Sequence, residues 1–410
     1  MKATDYCKNV FDGTHDTPKP AVKGYKLLTS KNILNGCLDK EDAYYISVED
    51  YDAVNQRSRV KQWDVLFSMI GTVGNVCLVT DEKIDFAIKN MGDFSCEDEE
   101  RAKWLYYYLQ GPYAKKLMEN YLNGAVQKFL PLGWLRDLDI PEYDAEKKSI
   151  VGFLWDIDSK IANNNAICSN LEAMAKLLYD YWFAQFDFPD ENGKPYKSSG
   201  GKMVWNEGLK REIPEGWSVG TIKDLGDVIG GATPSTEESS YYADSGIPWA
   251  TPKDLSAYDG LFFFHGERDI SEQGLKSCSA VLMPKGAVMM TSRAPIGYLA
   301  IAANEVCTNQ GFKSVVPHDI YGTFFTYFTL QVMMPYIKRY GVGSTFAEVS
   351  KQDVEGITVV LPTEKILVEY NKIVEDAFER ICLLEQETMQ LKSIRDFLLP
   401  MLMNGQVKVG

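Results

Sequence analysis

Between Ile150 and Trp182 apolar residues recur at alternating steps of four and three: Ile150, Leu154, Ile157, Ile161, then polar Asn164, then Cys168, Leu171, Ala175, Leu178 and Trp182. That is the spacing of a coiled-coil seam. The intervening Asp156, Asp158, Lys160, Asn163, Glu172, Lys176 and Asp180 make a solvated face. At 1.5 Å per residue the stretch spans roughly 50 Å. The same alternation returns near the end of the chain at Leu367, Tyr370, Val374, Ala377, Ile381, Leu384, Thr388 and Leu391. Each helix carries one apolar seam in need of a partner, and pairing with each other is the economical solution. Two unrelated long helices in one large core are the alternative. Asn164 on its seam can fix register, or mark a stretch of helix that is locally exposed.

Elsewhere the pattern is shorter in period. Val65–Val79 reads as two strands around Gly71 and Gly74, Glu100–Tyr121 as one helix, Asp224–Gly231 as a strand and Phe324–Tyr340 as a helix. The long helix is expected to end near Phe186. Residues 187–210 are dense in Pro, Gly, Ser and charge, as a linker is. The chain also repeats itself. Gly124, Leu130, Leu135, Leu138 and Ile140 meet Gly343, Val349, Val354, Ile357 and Val359 at an offset of 219. Trp63, Val65, Val73 and Gly74 meet Gly286, Val288, Ile296 and Gly297 at 223. Thr29 and Lys31 meet Thr251 and Lys253 at 222, and Lys176 to Tyr181 meet Lys392 to Phe397 at 216. Offsets so close mean duplication: globular domain, long helix, globular domain, long helix. The expected boundaries are 1–143, 144–186 (helix), 187–210 (linker), 211–362 and 363–410 (helix and tail).

The 410 residues are enough for two domains, with an ordinary 45% hydrophobic and a rich 12% aromatic content. No apolar run reaches the ~18 residues of a membrane span, and Met1–Asp12 lacks the apolar core of a secretory signal. The eight cysteines include no CxxC pair and read as reduced thiols, so a cytoplasmic location is expected. His15, His265 and His318 are too few and too scattered for a metal cage, and no cofactor is expected. A net charge of −14 argues against nucleic acid as a partner.

The chain also lacks the phosphate loop, the G-x-S-x-G elbow, the zinc-deaminase signature and any Pro-Pro pair, hence the catalytic loop of amino-methyltransferases. A non-catalytic recognition protein is therefore expected. Polar, loop-borne residues recur at matching places: Thr14, His15, Lys19, Ser30, Lys31, Asn32, Ser68, Lys89 and Asn90 in the first domain, and Thr233, Ser235, Lys253, Ser292, Arg293, Asn309 and Gln310 in the second. Arg and Lys suit guanine edges or phosphates, Asn and Gln suit adenine edges, and Ser or Thr suit either. Turn chemistry is the competing explanation for each residue singly.

Tyr181-Trp182-Phe183, Asp187-Phe188-Pro189, Gly193-Lys194-Pro195-Tyr196 and Arg211-Glu212-Ile213-Pro214-Glu215-Gly216-Trp217 stand in fixed order. So do Gly231-Ala232-Thr233-Pro234-Ser235, Ile247-Pro248-Trp249, Thr251-Pro252-Lys253-Asp254 and the tail Leu398-Leu399-Pro400-Met401-Leu402-Met403-Asn404-Gly405. In these stretches the chain resembles the specificity (S) subunit of Type I restriction–modification systems. One departure is an N-terminal domain without an opening like that at Ile213. The resemblance implies an α+β fold: two similar target-recognition domains of mixed α/β structure, separated by two long antiparallel coiled-coil helices, with pseudo-two-fold symmetry. It implies double-stranded DNA with a bipartite site as ligand and two methyltransferase (M) subunits as partners. Restriction (R) subunits would join through the complex, with no membrane involved. The competing readings are a scaffold that binds protein or glycan, and a methyltransferase carrying a recognition domain.

Overall fold

The computed structural model describes all residues except 35, 124–127, 342–346 and 410, so the Gly124–Gly343 correspondence lies outside the described residues. The architecture is mixed α/β. The chain divides into two units: Met1–Ala162 with Gln390–Gly410, and Asn163–Met389. The main helices are α1 (Glu99–Gln110), α2 (Ala145–Tyr179), α3 (Gly322–Ile337) and α4 (Glu364–Met403). The division cuts α2 and α4, so each unit holds a sheet domain and part of both long helices.

In the first unit the strands are β1 (Asn9–Asp12), β2 (Tyr25–Thr29), β3 (Tyr45–Ile46), β4 (Asp64–Ser68), β5 (Val76–Leu78), β6 (Phe86–Lys89) and β7 (Met91–Ser95). They form one sheet in the order β1-β7-β4-β5 and another in the order β3-β2-β6. In the second sheet β2 runs antiparallel to β3 and parallel to β6. The second unit repeats this plan with β8 (Gly226–Gly230), β9 (Ile247–Ala250), β10 (Asp269–Ile270), β11 (Val288–Met290), β12 (Leu299–Ala302), β13 (Cys307–Thr308) and β14 (Lys313–Pro317). Its sheets run β8-β14-β11-β12, with Phe262–Phe263 added at the edge, and β10-β9-β13, with Tyr242–Ala243 added.

The duplication extends to backbone detail. The β4–β5 hairpin is closed by Ser68, whose hydroxyl donates to the Thr72 carbonyl and accepts from the Asn75 amide at 2.8 Å. Thr291 does the same in the second unit, donating to the Pro295 carbonyl at 2.8 Å and accepting from the Tyr298 amide at 2.9 Å. Gly74 and Gly297 both sit at positive φ, 97° and 106°. So do Trp63 (67°) and Gly286 (86°), which occupy one geometric position with different residues. Leu130, Leu135, Leu138 and Ile140, and their counterparts Val349, Val354, Ile357 and Val359, are all buried.

The long helices use the apolar seam. In the first unit Ile150, Val151 and Leu154 of α2 share a core with Leu399 and Leu402 of α4, and Asp158 accepts from Arg395 at 2.8 Å. In the second unit Asn164 donates to Glu387 (2.8 Å) and Thr388 (3.3 Å), and the Cys168 thiol lies 3.9 Å from the Ile381 carbonyl. Ascending α2 thus descends α4. Phe378, one residue past the expected Ala377, fills the seam there. Glu385 reaches from α4 to accept the Leu261 and Phe262 amides at 2.7 and 2.8 Å, tying the helix to the sheet domain.

Three elements differ from the expectations. Glu100–Tyr121 is two helices, broken at Gly111 because Pro112 has no amide to continue the ladder and favours a helix N-terminus. The C-terminal helix runs on to Met403 and carries Pro400 in its last turn. Residues 187–210 are folded. Asp187 accepts the Ser198 amide (2.7 Å) and hydroxyl (2.6 Å), and these bonds lower its carboxyl pKa. Phe188 stacks on Tyr196 and Trp217 at 4.6 and 5.0 Å, and Met203–Asn206 pairs with Arg211–Pro214. Polarity suggested a linker, but spaced aromatics and an Asx-type turn at Asp190 give this segment a place in the core of the second unit.

Candidate nucleic-acid interface

In both units the loop after the first sheet strand lies against the end of a parallel strand. Gly13 approaches so closely that a Cβ would stand 2.4 Å from the Ile88 carbonyl oxygen; at Gly231 the corresponding distance to the Thr308 oxygen is 2.1 Å. Only glycine permits that approach. The Thr14 amide then donates to Ile88 (3.0 Å), the Asn90 amide to Thr14 (3.2 Å), and in the second unit the Ala232 amide to Thr308 (2.9 Å).

This backbone arrangement brings polar side chains together. In the first unit His15 Nδ1 lies 2.9 Å from Asn90 Oδ1, and His15 Nε2 lies 3.0 Å from Asp12 Oδ2. Arg57 donates to the other Asp12 oxygen at 2.7 Å. Asn90 sits at φ 53° between β6 and β7, and its carbonyl accepts from Ser30 Oγ at 2.9 Å. Lys89 reaches Thr17. Thr14, His15, Ser30, Lys89 and Asn90 therefore form one cluster. Lys19 and Lys31 are exposed nearby in sequence, on a stretch with four lysines and no acidic residue from 19 to 31. Asn32 and Ser68 behave differently. Asn32 is 2% exposed and caps a short helix from Thr29, and Ser68 is fully buried in its hairpin, so both spend their polar atoms within the fold.

The second unit builds a comparable cluster. Thr233 donates to Gln310 at 2.6 Å, the counterpart of the His15–Asn90 couple. The Ser292 amide donates at 2.8 Å to the carbonyl of Gly311, next to Gln310 in sequence, while the Ser292 side chain is fully buried and its hydroxyl lies 3.4 Å from Lys313 Nζ. Arg293 and Lys313 each lie 3.4 Å from Glu348. Asn309 caps the Gly311 amide at 2.8 Å, a turn role. Ser235 accepts the Glu237 amide at 3.4 Å, and Lys253 is held by Glu267 at 2.6 Å, a pairing that raises its ammonium pKa. Arg57, Lys313 and Glu348 escaped the reading of the sequence. Lys313 alone had a local signal there, three residues past Gln310.

The arrangement offers amide, hydroxyl and cationic groups, a donor set suited to base edges and phosphates. Among the described residues no group of three or more His, Cys, Asp or Glu could hold a metal ion, and no helix is long and apolar enough to cross a membrane.

Residues 214–393 match the family model of the Type I restriction modification DNA specificity domain. Over this stretch the chain is similar to the Type I restriction–modification specificity family. It is 38% identical over 203 residues to the MjaIX specificity subunit of Methanocaldococcus jannaschii, a match covering 46% of this chain and 47% of that relative. The chain thus spans about half the length of that relative. It is 25% identical over 319 residues to the HindI specificity subunit of Haemophilus influenzae, covering 66% and 69% of the two chains. The fold resembles the crystal structure of a Type I restriction–modification S subunit from M. genitalium, with a TM-score of 0.59 at 15% identity, covering 98% of this chain and 95% of the other. Both relatives are named as specificity subunits.

Proposed function

We propose that this chain is the DNA-reading subunit of a Type I restriction–modification complex, and that each unit reads one half of a bipartite target. The observation that carries the reading is the recurrence of one device in both units. A loop residue anchors a side-chain amide at the end of a parallel strand: His15 with Asn90, Thr233 with Gln310. Around these stand Thr14, Lys19, Lys31 and Lys89 in one unit and Arg293 in the other, whereas Ser30 and Ser292 are buried and bond within the fold. α2 and α4 act as an antiparallel coiled-coil spacer that sets the unread gap, with the two domains related by a pseudo-two-fold axis. At 35 residues α2 spans roughly 50 Å.

The helices also dock two methyltransferase subunits, through which restriction subunits join. Support comes from apolar side chains left exposed on them: Met174 and Leu177, one turn apart on α2, and Ile394 and Phe397, one turn apart on α4. Exposed apolar stripes of this kind mark protein interfaces. The net charge of −14 fits this division of labour. The methyltransferase subunits supply much of the phosphate contact, and the isolated chain binds duplex weakly.

The test is to express the chain with its methyltransferase subunits and to sequence modified bases in cellular DNA. A split motif is expected. Its loss on Asn90→Ala or Gln310→Ala, in complexes that still assemble, supports the assignment; unchanged modification in both variants refutes it.

A further inference from the structure

The hairpin loops of the two units make the same backbone contact with different chemistry. In the first unit Ile70 bridges to Phe129; at the matching place in the second, Arg293 bridges to Glu348, and the Val349 amide donates to the Ser292 carbonyl at 3.0 Å. The apolar pair in the first unit indicates that this bridge does not need charge to form. The charges in the second unit are therefore available for another task.

Glu348 serves two cations at once. Arg293 lies 3.4 Å from one carboxylate oxygen and Lys313 lies 3.4 Å from the other; Lys313 is also 3.4 Å from Ser292 Oγ. These separations exceed the ~2.7–2.9 Å of a tight charge-assisted bond. The cations are positioned but not saturated. All three side chains are partly open to solvent, at 34% for Arg293, 14% for Lys313 and 40% for Glu348. Ser292, next to Arg293 in sequence, donates its amide to the Gly311 carbonyl, adjoining Gln310 of the cluster assigned above to base reading.

We propose that Glu348 is a specificity-determining residue: an internal counter-anion that occupies Arg293 and Lys313 in the absence of the correct half-site. A phosphate of arbitrary DNA must compete with Glu348 for both cations. A correct half-site also engages Gln310 and its neighbours, and so displaces the carboxylate at a net gain. Glu348 thereby suppresses sequence-independent attraction more than specific binding. The inference rests on the reading that the second unit contacts DNA.

The experiment uses the chain assembled with its methyltransferase subunits. Fluorescence anisotropy measures binding to two labelled duplexes, one carrying the modified motif and one of random sequence, across a salt series. Glu348→Gln keeps the side chain's size and removes its charge. The expected result is about tenfold tighter binding of the random duplex at ~50 mM salt. The log K against log salt slope should steepen by about 1 to 2, since each freed cation can meet one phosphate at ~0.9 per contact. The ratio of motif to random affinity falls. Adding Lys313→Met and Arg293→Met to the Glu348→Gln complex returns the slope to the wild-type value, a reversal that a purely structural role would not produce. An unchanged slope and unchanged random-duplex affinity, in a variant with wild-type melting temperature, overturns the inference while the DNA reading stands. Failure of the wild-type complex to bind either duplex sinks the DNA reading, and the inference falls with it.

Discussion

Asn164 is the most informative single position on the helices. Its side chain is fully buried, Nδ2 donates to Glu387 and Thr388, and Oδ1 has no partner. Replacing Asn164 by Leu and Thr388 by Val together removes the orphaned carbonyl, a relief of about 1–3 kcal/mol. Burying a leucine adds about 1.5–3 kcal/mol. Against this stands the loss of one bond to a charged group, about 1.5–3 kcal/mol. The net prediction is a double variant about 1–3 kcal/mol more stable than wild type. Asn164→Leu alone should be near neutral, because it leaves Thr388 facing an apolar neighbour. Urea unfolding followed by tryptophan fluorescence reads the midpoint, and near-ultraviolet circular dichroism reads how uniquely the seam packs. The stabilised double variant should show weaker near-ultraviolet signals, since a buried Asn holds register. A double variant destabilised by more than about 1 kcal/mol, on the same scale of hydrogen-bond strengths, would refute the view that Asn164 trades stability for register.

Other perturbations test the sheet domains. Asp93 is completely buried beside Asp64, burial raises both carboxyl pKa values, and that of Asp64 reaches about 6. Folded values above the unfolded ones mean that the native state holds extra protons, so their contribution is present below about pH 4 and is lost as pH rises, through about 6 in the case of Asp64. Asp93→Asn should therefore flatten the fall in melting temperature between pH 5 and 8 and raise stability most at pH 8; a variant that loses stability at pH 8 contradicts the pairing. Thr291→Val removes the hydroxyl that serves the Pro295 carbonyl and the Tyr298 amide, and should cost about 2–4 kcal/mol in thermal or chemical unfolding. Glu385→Ala strips the acceptor from the Leu261 and Phe262 amides and should lower stability by a similar ~2–4 kcal/mol, whereas Glu385→Gln, which keeps one acceptor oxygen, should recover part of that loss.

The helices were legible because the seam has one period over a long stretch, and Asn164 stood out as the polar residue on it. The duplication was legible because packing positions such as Leu135 and Val354 hold their place while surface residues drift. The break at Gly111–Pro112 was written in the sequence but masked by apolar residues continuing on both sides. Residues 187–210 misled because polar composition says nothing about whether Phe188, Tyr196 and Trp217 will stack. The candidate interface reads from the sequence as loops and not as contacts. His15 meets Asn90 in one unit, and Thr233 meets Gln310 in the other, because parallel strands bring residues about 75 apart to the same end of each unit's own sheet, which no local pattern encodes. Ser68 and Asn32 have the composition of DNA contacts, yet hairpin closure and helix capping claim their polar atoms. Glu348 and Arg57 are unremarkable in sequence; only the cations or carboxylates they meet across the fold give them meaning.

We propose that α2 and α4 fix the spacing between two reading units. The most direct test inserts one heptad into each helix, beside Asn164 and beside Thr388, to preserve their pairing. Each insertion lengthens the pair by about 10 Å, close to three base pairs at ~3.4 Å per pair. The modified motif, read by sequencing DNA from cells that express the altered chain with its methyltransferase subunits, should keep the same bases at both ends and gain about three unread base pairs between them. Modification of the original motif at its original spacing would contradict the account.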